Sequence, residues 1–260
     1  MSRSTDHTSQ VIDQFSQQAE GYARLTATLP TDRSAALRAL VRPCLDDVAL
    51  EICCGPGQLA LEFAPEVKHV TGLDLTPAML EQAKLNQIQK GIQNVDWIVG
   101  DANCIPFEDA HFSIVLCSAA FHHLEQPRRV FAEMVRVCRS GGHIAVRDVT
   151  PAPEKAERYD SIEKMRDPSH MHALTVDEMR GLGGGLPVEE VSMITSVTGN
   201  LPFEAILATS FPTACSREDI LSILRDDALS GMDRLGFGAT LIDAQVRVSY
   251  PVSTALWRRR

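Results

Sequence analysis

The stretch Ala49-Leu50-Glu51-Ile52-Cys53-Cys54-Gly55-Pro56-Gly57-Gln58 decides the fold. An apolar strand breaks into a turn of small residues, and residues 56–65 read as a helix behind it. Small side chains let the backbone approach a ligand closely, and a helix N-terminus turns unpaired N–H groups toward it. A second strand, Val70-Thr71-Gly72-Leu73-Asp74, ends in an acid. At the tip of the neighbouring strand, that carboxylate can accept two hydrogen bonds from a ribose diol. Together the two pieces predict a nucleoside-containing cofactor lying across the carboxyl ends of a parallel sheet.

The same alternation extends outward. Strands are expected over 47–52, 68–73, 95–99, 112–118 and 143–149. Their near-continuous apolar character suits strands buried on both faces. Thr76 and Pro77 open a helix over 77–90, and a second helix over 126–139 is stopped by Gly141-Gly142. Regular alternation of strand and helix predicts a Rossmann-like, doubly wound α/β sheet with right-handed crossovers. Ahead of it, residues 1–10 read as disordered, 11–23 as an amphipathic helix and 32–41 as a second helix.

After the linker Pro151-Ala152-Pro153, helices are expected over 156–165, 176–182, 202–209 and 217–229. Strands are expected over 187–196 and 245–256, with Gly183-Gly184-Gly185 as a flexible break. The expected domain plan has three parts: N-terminal helices over 1–44 as a candidate lid, a cofactor-binding core over 45–150, and substrate-covering helices over 151–260. The last part adds the final two strands of a seven-stranded sheet, the last of them antiparallel and threaded back after a helical insertion over 197–243.

The chain has 260 residues, 44% hydrophobic and 23% charged, enough for a packed core. Its net charge of −9 gives phosphate-rich partners no general attraction, which disfavours nucleic acid and anionic membranes. No apolar run approaches the roughly 20 residues of a spanning helix, and the polar first ten residues carry no signal-peptide core. Seven cysteines, mostly in apolar contexts, suit reduced thiols in a cytoplasmic protein, monomeric or homodimeric.

Gly55-Pro56-Gly57-Gln58-Leu59-Ala60 also fits a dinucleotide pattern. Glu51 argues against it, because a carboxylate just before the turn repels a pyrophosphate and suits a cationic amino-acid end. Asp101, after the third strand, can accept from an adenine amino group.

In order, Glu51-Ile52-Cys53-Cys54-Gly55-Pro56-Gly57, Thr71-Gly72-Leu73-Asp74-Leu75-Thr76-Pro77-Ala78-Met79-Leu80, Gly100-Asp101-Ala102, Ala120-Phe121-His122-His123 and Val135-Arg136-Val137-Cys138-Arg139-Ser140-Gly141-Gly142 resemble the class I S-adenosylmethionine-dependent methyltransferases. Within them the chain is most similar to the ubiquinone/menaquinone C-methyltransferase-like group. The resemblance covers roughly residues 45–150, and Arg166-Asp167-Pro168-Ser169-His170 shares it. It implies S-adenosyl-L-methionine as cofactor. Glu51, Cys54, Gly55 and Gly57 then line the methionine end and the turn. Asp74 takes the ribose, Leu75 and Met79 flank the adenosine, and Asp101 and Ala102 face the adenine. Cys53 and Ser140 depart from the pattern, standing where a glycine and a proline are usual. Phe15 and Tyr22 are candidates to fold over the cofactor from the first helix.

Methyl transfer requires a nucleophile held roughly 3 Å from an activated carbon in a dry site. His122 and His123, at the carboxyl end of the fourth strand, are candidate bases for an acceptor that must lose a proton. Being adjacent, their rings point different ways, so at most one faces the substrate. His170 and His172 form a metal-like pair without a third ligand, read here as a polar loop, and Cys53-Cys54 reads as small turn residues rather than thiol chemistry. Met165, Met171, Met179, Met193 and Phe203 are candidates for an apolar pocket or for plain core. The expected acceptor is a small aromatic, quinol or polyketide-like molecule methylated on carbon or oxygen. Two readings stay open beside it: a cofactor-binding enzyme of cyclase type that transfers no methyl, and an NAD-dependent oxidoreductase.

Overall fold

A computed structural model describes residues 2–28 and 35–260, with side chains described from His7 to Leu25 and from Ala35 onward. Seven strands form one sheet in the order β3-β2-β1-β4-β5-β10-β6. They are β1 (Val48–Ile52), β2 (His69–Asp74), β3 (Val95–Val99), β4 (Phe112–Ser118), β5 (Cys138–Val149), β6 (Val188–Val197) and β10 (Pro251–Arg259). β1 runs parallel to β2 and β4, and β10 is antiparallel to both β5 and β6. The expected Rossmann-like, doubly wound fold with an antiparallel seventh strand is present.

The apolar strands are buried because helices cover both faces. On one face α5 (Pro127–Val137) and α7 (Val176–Gly181) join Phe112, Phe121, Phe131 and Trp257 in one core. On the other, α2 (Ala35–Val41) and α3 (Gln58–Phe63) bury Leu37, Leu61 and Phe63 against β1. α4 (Pro77–Lys90) follows β2 and ends on Gly91 in the left-handed conformation. Thr76 makes no side-chain cap there; its N–H is instead held by Asp74.

Several expectations are corrected. Residues expected to be disordered at 2–10 belong to α1 (Ser2–Thr28), where a polar sequence is held by tertiary contact: His7 Nε2 lies 2.9 Å from the carbonyl oxygen of His123. The second helix begins at Ala35, and residues 32–34 of its expected span lie outside the described residues. The helix after the turn is shorter than expected, with a 3-10 turn at Ala64–Glu66 taking its end. α5 stops at Val137, because Cys138 pairs with Phe112 and starts β5. A bulge then carries the glycine pair before His143 pairs with Ile114.

The insertion between β6 and β10 is not purely helical. Besides α8 (Phe203–Ala208) and α9 (Arg217–Ser230), β7 (Leu201–Pro202), β8 (Thr240–Ile242) and β9 (Gln245–Val248) form a small sheet. The single strand expected over 245–256 is therefore two. α6 (Ala156–Arg166), α8 and α9 enclose a third core in which Tyr159 stacks on Phe237 at 4.5 Å. Met179 and Phe203 are fully buried, while Met165 and Met193 pack against the edges of cores. They are structural, and none of the five candidates lines the cavity described next.

Candidate active site

A cavity of about 220 Å³ opens at the carboxyl ends of β1, β2, β3 and β4, on both sides of the β1/β4 junction where the strand order reverses. Ligands of open α/β sheets bind at this switch point. α1 crosses the mouth, contributing His7, Val11, Phe15 and Tyr22.

The turn after β1 is built from strained backbone. Cys53 has φ 50°, Gly55 φ 51° and Gly57 φ 74°. Cys53 thus adopts the left-handed conformation that a glycine takes at little cost. A Cβ on Gly57 would lie 2.2 Å from the Trp97 ring. Gly57 does not line the cavity; it lets the turn pack against β3.

Two buried carboxylates face the cavity. Glu51 Oε2 accepts from the Ala60 N–H at 2.8 Å. Asp74 accepts from the Gly55 N–H at 2.7 Å through Oδ2 and from the Thr76 N–H at 2.8 Å through Oδ1. Burial pushes the Glu51 carboxyl up to about 8 against the pull of the Ala60 N–H, and the charges of Asp74 and Glu62 add to the rise. Burial also raises Asp74, partly offset by its backbone hydrogen bonds. Leu75, Met79, Asp101 and Ala102 line the same cavity, as do Cys53, Cys54 and Gly55. Asp101 takes the Asn103 N–H at 2.8 Å, which fixes its turn.

The two histidines diverge, as adjacent residues must. Both sit in a 3-10 turn, Phe121–His123. His123 lines the cavity and His122 does not. The His122 Nδ1 lies 2.7 Å from Asp148 Oδ1, the carboxylate buried and the imidazole mostly so. Burial lowers the His122 pKa, but the Asp148 carboxylate more than offsets this and the net shift is upward; Asp148 shifts down in return. His123 moves the other way, to about 3, because of burial and the charge of His122. His170 and His172 share Asp160, at 2.7 and 2.6 Å, away from the cavity. Among the described residues no cluster of three or more His, Cys, Asp or Glu has metal-holding geometry.

Sequence reasoning missed His7, Ser118, Ala119, Glu125 and Arg147, which also line the cavity. Ala119, at φ 56°, is a second non-glycine residue strained at the rim, and such strain clusters at functional sites.

The donor set fits S-adenosylmethionine. A buried carboxylate with a raised pKa lacks a cation, which an ammonium supplies. Asp74 retains lone pairs for a diol, and the wall of Leu75, Met79 and Ala102 is apolar enough for a purine. Acidic residues outnumber basic ones around the cavity, which favours a cationic ligand.

Comparison with known proteins agrees. Residues 50–146 match the methyltransferase domain family. The chain is 33% identical over 135 residues to the uncharacterized methyltransferase YcgJ of Bacillus subtilis, covering 51% of this chain and 53% of that protein. It is 39% identical over 111 residues to phthiotriol/phenolphthiotriol dimycocerosates methyltransferase 1 of Mycobacterium ulcerans, covering 42% of this chain and 40% of that one. The matches thus span about half, or less, of these relatives' length. A crystal structure from Bacillus halodurans C-125, of a protein assigned as a methyltransferase, superposes with a TM-score of 0.76 at 26% identity, covering 88% of this chain and 98% of that one.

Proposed function

From the premise that residues 50–146 form a class I S-adenosylmethionine-dependent methyltransferase domain, we propose that this chain methylates a small-molecule acceptor, with His123 as the base or hydrogen-bond acceptor at its nucleophile. The observation that carries the reading is that Glu51, Asp74 and His123 line one cavity. When bound, the cofactor supplies a methyl group on a sulfonium, already activated for in-line displacement.

The chain's residues do the rest. Glu51 would hold the ammonium, Asp74 the ribose hydroxyls, Leu75 and Met79 the adenosine faces, and Asp101 and Ala102 the adenine edge. Cys53, Cys54 and Gly55 would let the backbone come close to the methionine end. Tyr22 and Phe15, on α1, would exclude water from above, as a lid over 1–44 should. Residues 151–260 add no side chain to the cavity lining itself and would act on the acceptor end through Ser169, behind His123. A phenol, enol or carbon acid must lose a proton as it is methylated, and a neutral imidazole in the cavity can receive it.

An aromatic, quinol or polyketide-like acceptor is supported by the similarity to a methyltransferase named for phenolphthiotriol, and by the Phe15 ring, 5.0 Å from that of His123, in a cavity that Val11 and Leu124 also line. The test is transfer of a labelled methyl group from S-adenosylmethionine to a panel of phenols, quinols and 1,3-dicarbonyl compounds. Labelled product that falls at least tenfold in His123→Gln supports the reading. Cofactor binding with no product from any member of the panel would favour the cyclase-type alternative, and undiminished turnover in His123→Gln would overturn the role of His123.

A further inference from the structure

A hydrogen-bond chain leads into His123 from behind. The Ser169 Oγ–H donates to Asp167 Oδ1 at 2.6 Å, and the Ser169 N–H donates to the same oxygen at 3.0 Å. The Gln18 side chain, reaching from α1, donates to Asp167 Oδ2 at 3.0 Å. Asp167 and Ser169 are 1% and 0% exposed. Ser169 Oγ also lies 3.1 Å from His123 Nδ1.

Counting hydrogens fixes the direction of the chain. A serine hydroxyl has one hydrogen, and a carboxylate only accepts. With that hydrogen committed to Asp167, Ser169 Oγ can only accept from His123, so Nδ1 carries the proton. A neutral imidazole protonated on Nδ1 keeps its lone pair on Nε2. Neutrality follows from the surroundings. Burial and the neighbouring His122 oppose a charge on the ring. Burial pushes the Asp167 carboxyl up, but the Arg166 charge and the hydrogen bonds from Ser169 and Gln18 draw it down, so it stays a carboxylate that only accepts.

We propose that Asp167 and Ser169 are positioning residues that lock His123 as the Nδ1–H tautomer, so that the cavity offers the substrate an obligatory hydrogen-bond acceptor. The class of acceptor follows: its reacting group enters carrying a hydrogen, as a phenol or enol O–H or an amine N–H. A carboxylate or preformed phenolate would set lone pair against lone pair. This specificity rests on the methyltransferase reading; the tautomer lock does not.

The groups that face His123 are His7 from α1, His122 beside it, Asp148 from β5, and Asp167 and His170 from the segment after α6. The experiment is long-range 1H–15N NMR of the whole protein with 15N-labelled histidine, His123 being assigned by its loss in His123→Gln. In the wild type, His123 is expected to be Nδ1-protonated and neutral from about pH 5 to about pH 9. In Ser169→Ala it should shift to the Nε2–H form, the usual choice of a free imidazole, and Ser169→Thr should restore the wild-type signal. With an acceptor in hand, Ser169→Ala should lower kcat about tenfold with little change in the cofactor's Kd.

An Nε2–H or doubly protonated His123 in the wild type at neutral pH overturns the proposal without any variant. So does Ser169→Ala that keeps the Nδ1–H signal. A lock present as described, together with undiminished turnover in His123→Gln, would sustain the positioning role and overturn the base assignment made above.

Discussion

Glu51 and Asp74 lie on adjacent parallel strands, and each is held by backbone N–H groups of the chain just beyond a strand end. Ala60 donates to Glu51 at 2.8 Å, and Gly55 donates to Asp74 at 2.7 Å. Two buried acids side by side repel each other and resist ionisation. Such an arrangement persists where a ligand supplies the missing positive charge.

Glu51 should therefore release a proton when a cationic ligand binds. With its carboxyl near 8, Glu51 is largely neutral at about pH 7 in the free protein. Calorimetry with S-adenosylhomocysteine in buffers of different ionisation enthalpy should show close to one proton released at about pH 7, and almost none above about pH 9. Buffer-independent heats would contradict the assignment.

The same group sets a stability trend. Its folded pKa lies above the unfolded value of 4.5, so its favourable contribution is complete below about 4.5 and is lost as pH rises through about 8. Glu51→Gln removes this loss. It should raise the melting temperature of the free protein at about pH 9 while weakening cofactor binding at least tenfold. A variant that melts lower and binds normally would make Glu51 a structural acid.

His122 and His123 should separate in mutagenesis. Removing His122 leaves Asp148 buried and unpaired, a loss of about 3–5 kcal/mol in stability, seen as a lower urea midpoint for His122→Ala. His122 has a raised folded pKa, so its contribution is complete below about 6.5 and fades above it. Asp148 has a lowered one, so its contribution is complete above about 3.8 and fades as pH falls. The pair is most stabilising between those values. His123→Gln should leave the midpoint within about 1 kcal/mol and reduce turnover. Equal stability losses in both variants would contradict the division of roles.

Much of this was legible in the sequence. The runs ending in Ile52, Asp74 and Ser118 announced buried parallel strands, and the turn at Cys53–Gly57 announced the cavity. What stayed hidden depends on contacts distant in sequence. Polar residues near the N-terminus gave no sign of helix because their partner, His123, lies far along the chain. The choice between His122 and His123 depends on Asp148, one strand over. The short strands β7 and β8 carry too few residues for a two-residue period to show, and nothing local marked the break between β9 and β10. Asp167 and Ser169 stood in a stretch that resembled the family, but nothing local said that they point at His123.

The turn glycines should not be equivalent. Gly57→Ala meets Trp97 as well as a left-handed φ, and should cost about 2 kcal/mol or more. Gly55→Ala meets nothing within 4 Å and should cost about 1 kcal/mol from its φ alone. Thermal or urea unfolding of the two variants checks the order, and a smaller loss for Gly57→Ala would contradict the packing described at β3.

The most direct test of the cofactor site is calorimetric titration of the wild type and Asp74→Ala with S-adenosylhomocysteine and, separately, with NAD. Two charge-assisted hydrogen bonds to a ribose, at about 1.5–3 kcal/mol each, put the expected loss at 100-fold or more. Micromolar binding of S-adenosylhomocysteine alone, abolished in Asp74→Ala, is the predicted result. Binding of NAD instead, or undiminished affinity in Asp74→Ala, would contradict the account.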